Sequence, residues 1–348
     1  MQTATVRRTP SDYRLLTEQV RGAGLLEPRS RYYAAKIALT IAALGVGWAA
    51  LFIVRGSWGM LGLAAFLAFT FTQVVFIGHD AGHQQIFASR EANRLLGLLV
   101  GNTLTGLSYG WWISKHSAHH AFPNQLGRDP DIGPVAAVVG TEADAGRSRR
   151  AQRFRALWRV PTLVPMILLE FGMHVTSSRA LAKRRDRQAI VEAALLFIHA
   201  GLYLTAVFWL LSPLKALAFI AVQQGLFGVY LRLCFAPNHK GMPIVEAGAR
   251  LGFVERQVIT ARNVTGGRLT TFMLGGLNYQ IEHHLFPALP RPNLPRVQGI
   301  VREFCASHDL PYCEDSLVGS YLKAVRFLRT GTTGPGSPAV SLVLQGQP

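Results

Sequence analysis

Seven of the eleven histidines in this 348-residue chain fall in three short clusters. They are His79-Asp80-Ala81-Gly82-His83, His116-Ser117-Ala118-His119-His120 and Gln280-Ile281-Glu282-His283-His284. His79 and His83 stand at i and i+4, so a helix turns both to one face. His116 repeats that spacing with His119 or His120, and Gln280 repeats it with His283 or His284. Imidazole is the commonest protein metal ligand and suits iron, copper, zinc and nickel. His239, in Ala236-Pro237-Asn238-His239-Lys240, is an eighth candidate because it closely follows an apolar segment. Eight imidazoles and one amide, Gln280, exceed the needs of one ion and suit two metals with a few open positions. Histidine-rich, thiolate-free ligation at a membrane face suits non-haem iron that activates dioxygen; zinc stays open on ligand type alone. Glu282 precedes His283, but no His-Glu-x-x-His peptidase arrangement is present. His174, His199 and His308 stand singly and read as hydrogen-bonded core or interface residues.

The segments that must carry these clusters are strongly apolar. Residues 37–54, 56–78 and 193–214 contain no Asp, Glu, Lys or Arg, and neither do 216–231. Apolar character resumes after Arg232 as far as about residue 235. A membrane span needs about 20 mostly apolar residues, so four spans are expected, at about 37–54, 56–78, 193–214 and 216–235. They pair as two hairpins, turning at Arg55 and at residues 212–215. Residues 95–114 also lack charge, but they hold four glycines and several polar residues. That stretch reads as interfacial or re-entrant, as does 160–169, which contains Pro161 and Pro165 and stops at Glu170. A shared metal site makes the same demand: a crossing at 95–114 would strand His116, His119 and His120 on the wrong side of the membrane.

Composition agrees with a lipid-facing chain. Hydrophobic residues make up 49% and charged residues 16%, against about 25% charged in soluble domains. The mean hydropathy is +0.22. The net charge of +17 is the kind of balance that marks nucleic-acid binders, but its distribution argues for membrane topology. Arg55 and Lys215 are the only basic residues in the two short turns. The basic clusters lie at 7–36, 147–159, 179–187 and from Lys240 onward. The positive-inside rule then places both termini and the long middle loop in the cytoplasm, and no nucleic-acid partner is expected. Cys234, Cys305 and Cys313 form neither a disulfide framework nor a zinc pattern and read as reduced thiols. The N-terminus lacks the apolar core of a cleavable signal. Ser11 and Asp12 cap an amphipathic helix that reads as a surface element. Three parts are expected: a cytoplasmic N-terminal segment (1–31), a membrane domain (32–330) and a disordered Gly/Pro/Ser-rich tail (331–348).

With HDAGH, HSAHH and QIEHH in this order and spacing, the chain resembles the membrane-bound fatty acid desaturases. The likeness covers roughly residues 32–302. The longer strings HHAFPN and NYQIEHHLFPALPRPNL are similar to the front-end and linoleoyl-type branch. The resemblance implies an all-α integral membrane fold, in which four transmembrane helices carry a cytoplasmic helical cap with a diiron centre. It implies ligation by His79, His83, His116, His119, His120, His283 and His284, with His239 as the extra ligand and Gln280 acting directly or through water. The reaction implied uses dioxygen and two electrons to place a cis double bond in an acyl chain. Acyl-CoA, acyl carrier protein and glycerolipid are all open as substrate carriers. Asp80, Asp129, Asp131, Glu255 and Glu282 are candidates to orient imidazoles. Tyr109, Trp111, Trp112 and Asn238 are candidates to line the substrate path.

Several front-end members carry a fused cytochrome b5 domain with a His-Pro-Gly-Gly motif. This sequence has none, so electrons are expected from a ferredoxin and its reductase, or from free cytochrome b5. A related diiron lipid hydroxylase is the alternative enzyme. A non-enzymatic metal transporter is the third reading, although the ligands sit at span ends rather than mid-span. Ala- and Arg-rich usage suggests a bacterial inner membrane.

Overall fold

The computed structural model describes residues 10–132 and 163–330. The expected tail (331–348), the basic cluster at 147–159 and the start of the 160–169 stretch lie outside the described residues. The described chain is mostly helical and forms two compact units. The first takes residues 28–116 and 163–234, and the second takes 10–27, 117–132 and 235–330.

In the first unit, helices α2 (Ser30–Val54), α3 (Met60–Gly82), α7 (Arg187–Leu210) and α8 (Pro213–His239) are long and apolar enough to cross a membrane. Each runs beyond its charge-free stretch at one or both ends, because a charge ends a span without ending a helix. Asp186 caps α7, accepting the Ala189 N–H at 2.9 Å. At 1.5 Å per residue α3 is about 35 Å long, more than the ~30 Å hydrocarbon core. His79, in its last turn, can therefore clear the lipid.

Leu51, Met60, Ala64, Leu67, Tyr203, Val207, Ala216 and Phe219 form a core near the two turns. Lys215 lies in the first turn of α8 rather than in a loop, and its Nζ donates to the Gly56 carbonyl at 2.6 Å. Ile53, Phe197 and Trp209 are 85%, 80% and 75% exposed. Large apolar side chains facing outward along α2 and α7 suit contact with lipid, not water.

The 95–114 stretch is broken into three pieces. Helix α4 (Arg90–Leu98) runs into a π-helix (Leu99–Leu104), the chain kinks at Gly106 (φ +74°), and α5 (Tyr109–Ala121) begins. Irregular backbone at membrane depth must have its carbonyls satisfied by protein. The single histidines do this. His199 Nδ1 donates to Thr103 O at 2.9 Å and His174 Nδ1 to Gly106 O at 2.8 Å. Both are half-buried, hydrogen-bonded residues between elements, as their isolation suggested. The apolar 160–169 stretch opens a longer helix, α6 (Leu163–Ala182), which continues past Glu170, a residue of good helix propensity.

The second unit is built around α1 (Pro10–Gly22), α9 (Phe253–Ile259), α10 (Arg268–Met273), α11 (Gln280–Leu285), α12 (Leu294–Ser307) and α13 (Leu317–Thr330). Strands β1 (Asn263–Thr265) and β2 (Glu314–Ser316) pair in parallel. Leu16, Val20 and Leu25 of the N-terminal segment pack with Val258, Ile281, Leu285, Val297 and Val301. Tyr13 Oη donates to Leu285 O at 3.1 Å. So α1 is no free surface helix: it supports the element that bears the third histidine cluster. All three cysteines are free thiols.

Candidate functional site

Each unit gathers its own set of histidines. In the first, α3 ends at Gly82 and His83 closes its last turn, its N–H reaching His79 O at 3.1 Å. The His79 and His83 rings lie 4.7 Å apart. His116, on α5, brings its Nε2 to 2.8 Å from His83 Nε2. His79, His83 and His116 each offer a ring nitrogen, and these lie within 4.8 Å of one another.

Asp80 Oδ1 lies 3.3 Å from His79 Nδ1. Trp112 stacks on His116, with centroids 4.6 Å apart and planes at 19°. It sits where a Cβ on Gly82 would be 2.5 Å away, so only glycine fits there. The start of α5 is held by buried Glu192, which accepts Ser108 Oγ at 2.6 Å and the Gly110 N–H at 3.0 Å. Arg184 Nη1 donates to the other Glu192 oxygen at 2.8 Å. Ser108 Oγ also takes the Trp111 N–H, at 3.2 Å. Tyr109 packs against Gly97, and burial pushes its hydroxyl up to about 12. Burial, with His79 next, holds the His83 imidazolium well below its usual range.

In the second unit the set is His119, His239 and His284, whose ligand atoms also lie within 4.8 Å of one another. Their Nδ1 atoms face acceptors from three different segments. His119 Nδ1 lies 3.1 and 3.0 Å from the two Asp129 oxygens. His239 Nδ1 lies 3.0 Å from Thr260 O, and His284 Nδ1 3.0 Å from Gln257 Oε1. An acceptor on Nδ1 places the hydrogen there and leaves the Nε2 lone pair of a neutral ring free to bind metal. Yet His119 Nε2 and His239 Nε2 are only 3.3 Å apart. Two lone pairs at that distance call for a cation or a proton between them. His284 Nε2 is buried and has no hydrogen-bond partner among the described residues. The donor chemistry fits a divalent transition metal.

His120 stacks on His284 with centroids 4.3 Å apart, and His283 lies 4.8 Å from His120. Gln280 Nε2 is 3.0 Å from His239 Nε2, while its Oε1 accepts from Asn238 Nδ2 at 3.0 Å. Gln280 therefore meets this set through His239, with Asn238 behind it.

The carboxylates divide. Burial alone would raise the Asp129 carboxyl, but hydrogen bonds from His119 and the backbone hold it below its usual value. Asp131 stands 3.8 Å from His119 Nδ1. Glu282, a candidate orienting group, faces elsewhere. It accepts Asn263 Nδ2 at 2.7 Å and Tyr312 Oη at 2.6 Å. Burial pushes its carboxyl up to about 7. On a six-residue helix His283 and His284 cannot share a face with the residue just before them. Glu255 is half-buried on α9, whose Gln257, not singled out by the sequence, meets the histidines. Burial, with the neighbouring rings next, holds His284 well below the usual imidazole range.

Gln257, Thr260 and Asn124 were missed by sequence reasoning. Asn124 donates its backbone N–H to Asp129 Oδ2 at 2.8 Å and its side chain to His239 O at 3.2 Å. It does so from a left-handed backbone, φ +55°. Its place in HHAFPN was the one available signal; Gln257 gave only that of an uncharged polar residue inside an apolar stripe.

Four helices long and apolar enough to cross a membrane, together with two clusters of imidazoles, fit a membrane metalloenzyme. The family described as Fatty acid desaturase matches residues 56–316, and this chain belongs to it. It is an acyl desaturase, an integral membrane oxidoreductase of lipid metabolism. It is 34% identical to the Delta(8)-fatty-acid desaturase of Euglena gracilis, over 89% of this chain and 76% of that protein. It is 29% identical to the acyl-lipid (9-3)-desaturase of Physcomitrium patens, over 88% and 59%. The Delta(6)-fatty-acid desaturase of Caenorhabditis elegans is 28% identical over 94% and 76%.

Proposed function

We propose that this desaturase works with two iron ions, one held by His79, His83 and His116 and one by His119, His239 and His284. His120 and His283 complete the ligands, and Gln280 acts on the second ion directly or through a bound water. The observation that carries this is the acceptor facing Nδ1 of His119, His239 and His284, which makes Nε2 the lone-pair atom of each neutral ring. Iron so held, with dioxygen, two electrons and two protons, supplies the oxidation that takes two hydrogens from neighbouring methylenes and yields a cis double bond and two waters.

The chain's own residues do the positioning. Asp129 and Asp80 orient imidazoles. Trp111, Trp112 and Asn238 flank the path of the acyl chain, because only a shaped path can select one methylene among chemically similar neighbours. The front-end branch is the substrate class, in keeping with relatives named for the Delta(8) and Delta(6) positions.

The four spans form two hairpins, and the positive-inside distribution puts both termini and the histidine-bearing cap in the cytoplasm. A bacterial plasma membrane is the proposed location, on the Ala- and Arg-rich usage. Residues 32–330 are the catalytic domain, after an N-terminal segment and before a tail. A ferredoxin with its reductase is the proposed donor, and free cytochrome b5 the second choice. The substrate is carried on coenzyme A, acyl carrier protein or a lipid.

The test is a fatty-acid profile by gas chromatography–mass spectrometry after feeding saturated and monounsaturated acids. Cells expressing the intact chain should gain an unsaturated acid that cells expressing His283→Ala do not. A hydroxylated product instead would replace desaturation with oxygen insertion.

A further inference from the structure

Gln257 supplies the third orienting contact, and no motif draws attention to it. Its side chain is fully buried on α9, between Val254 and Val258 of the core. One amide joins two histidine clusters. Nε2 donates to the backbone carbonyl of His120 at 3.0 Å, and Oε1 accepts from His284 Nδ1 at 3.0 Å. The His120 carbonyl can only accept, so it fixes the amide nitrogen on its side and turns the oxygen to His284. The oxygen in turn holds the hydrogen on His284 Nδ1. We infer that Gln257 is a positioning residue. It sets the tautomer of His284 and ties the second cluster to the third, so metal binding at His284 depends on an amide that touches no metal.

This rests on the reading of His284 as an iron ligand. A glutamine present only to fill space would be indifferent to the acceptor at Oε1, and that difference is measurable. The full-length protein, in detergent and stripped of metal, is titrated with Co(II) while its visible absorption bands are followed. The variants are Gln257→Met, which keeps the volume and loses the acceptor, Gln257→Glu, which keeps the acceptor, and His284→Ala. Gln257→Met should weaken one Co(II) site about 10–100-fold and shift its bands, and Gln257→Glu should recover most of that loss. Equal binding by wild type and Gln257→Met, with the site lost in His284→Ala, overturns the role of Gln257 and leaves the ligand reading intact. Equal weakness in both Gln257 variants also overturns it, since the loss would then come from packing or from the broken donor to the His120 carbonyl and not from the acceptor at Oε1. Undiminished binding by His284→Ala removes the ligand reading, and the inference falls with it.

Discussion

The two histidine sets differ in what holds them. His79, His83 and His116 lie close in one unit, with Asp80, the neighbour of His79 in sequence, at 3.3 Å and the Trp112 ring stacked on His116. His119, His239 and His284 are oriented by groups remote in sequence: Asp129, the Thr260 carbonyl and Gln257. Helix spacing, ring packing and a carboxylate adjacent in sequence shape the first set. Hydrogen bonds from distant segments, which choose the tautomer, shape the second.

Removing a ligand from either set should be the largest effect. His83→Ala and His284→Ala should both reduce desaturation to background, because the two irons act together. Iron content should distinguish them, each variant losing the ion of its own set. Loss of both ions from either variant would break the comparison.

The next effect belongs to the second unit alone. Glu282 titrates near 4.5 when unfolded and at about 7 when folded. Between those values the folded protein binds more protons, so stability falls as pH rises from about 4.5 to 7, and the full cost applies above. That cost is about 3 kcal/mol. Glu282→Gln should flatten this slope and raise the melting temperature of metal-free protein at pH 8 more than at pH 5. His83 and His284, held below their usual range, act in the opposite sense and destabilise as pH falls below about 6.5. The difference between wild type and variant therefore isolates Glu282, and a pH-independent difference would count against its buried titration.

Asp129→Asn should then lower iron affinity at the second set by about 10–100-fold, measured by chelator competition. Asp80→Asn should cost the first set less. Equal losses would mean that both sets rely on carboxylates alike. The smallest effect expected is that of Trp112→Leu. An aromatic contact of about 0.5–1.5 kcal/mol is lost, so activity should fall about 2–10-fold with iron content unchanged. Loss of iron from this variant would show that ring packing holds the first set together.

Much of this was legible in the sequence because it is local. Four spans follow from apolar runs, and helix spacing alone makes neighbours of His79 and His83. The broken character of 95–114 followed from its glycines and polar residues, and the hydrogen-bonded role of His174 and His199 from their isolation. Local patterns also had limits. The apolar stretch 160–169 stops at Glu170, but the helix continues to Ala182. Glu282, next to His283, looked like an orienting group and is buried against Asn263 and Tyr312 instead.

By itself, then, the sequence determined the class of chemistry, the membrane-spanning helices and the identity of the histidines. Each of these depends on residue type and on spacing within one element. Only the tertiary structure decided which nitrogen of the His119, His239 and His284 rings carries hydrogen. A tautomer depends on the acceptor facing Nδ1, and for these three the acceptors come from distant segments. Asp129 stands ten residues from His119, Thr260 lies 21 from His239 and Gln257 lies 27 from His284. No periodicity links such pairs; they meet because a buried polar group must find a partner within the fold.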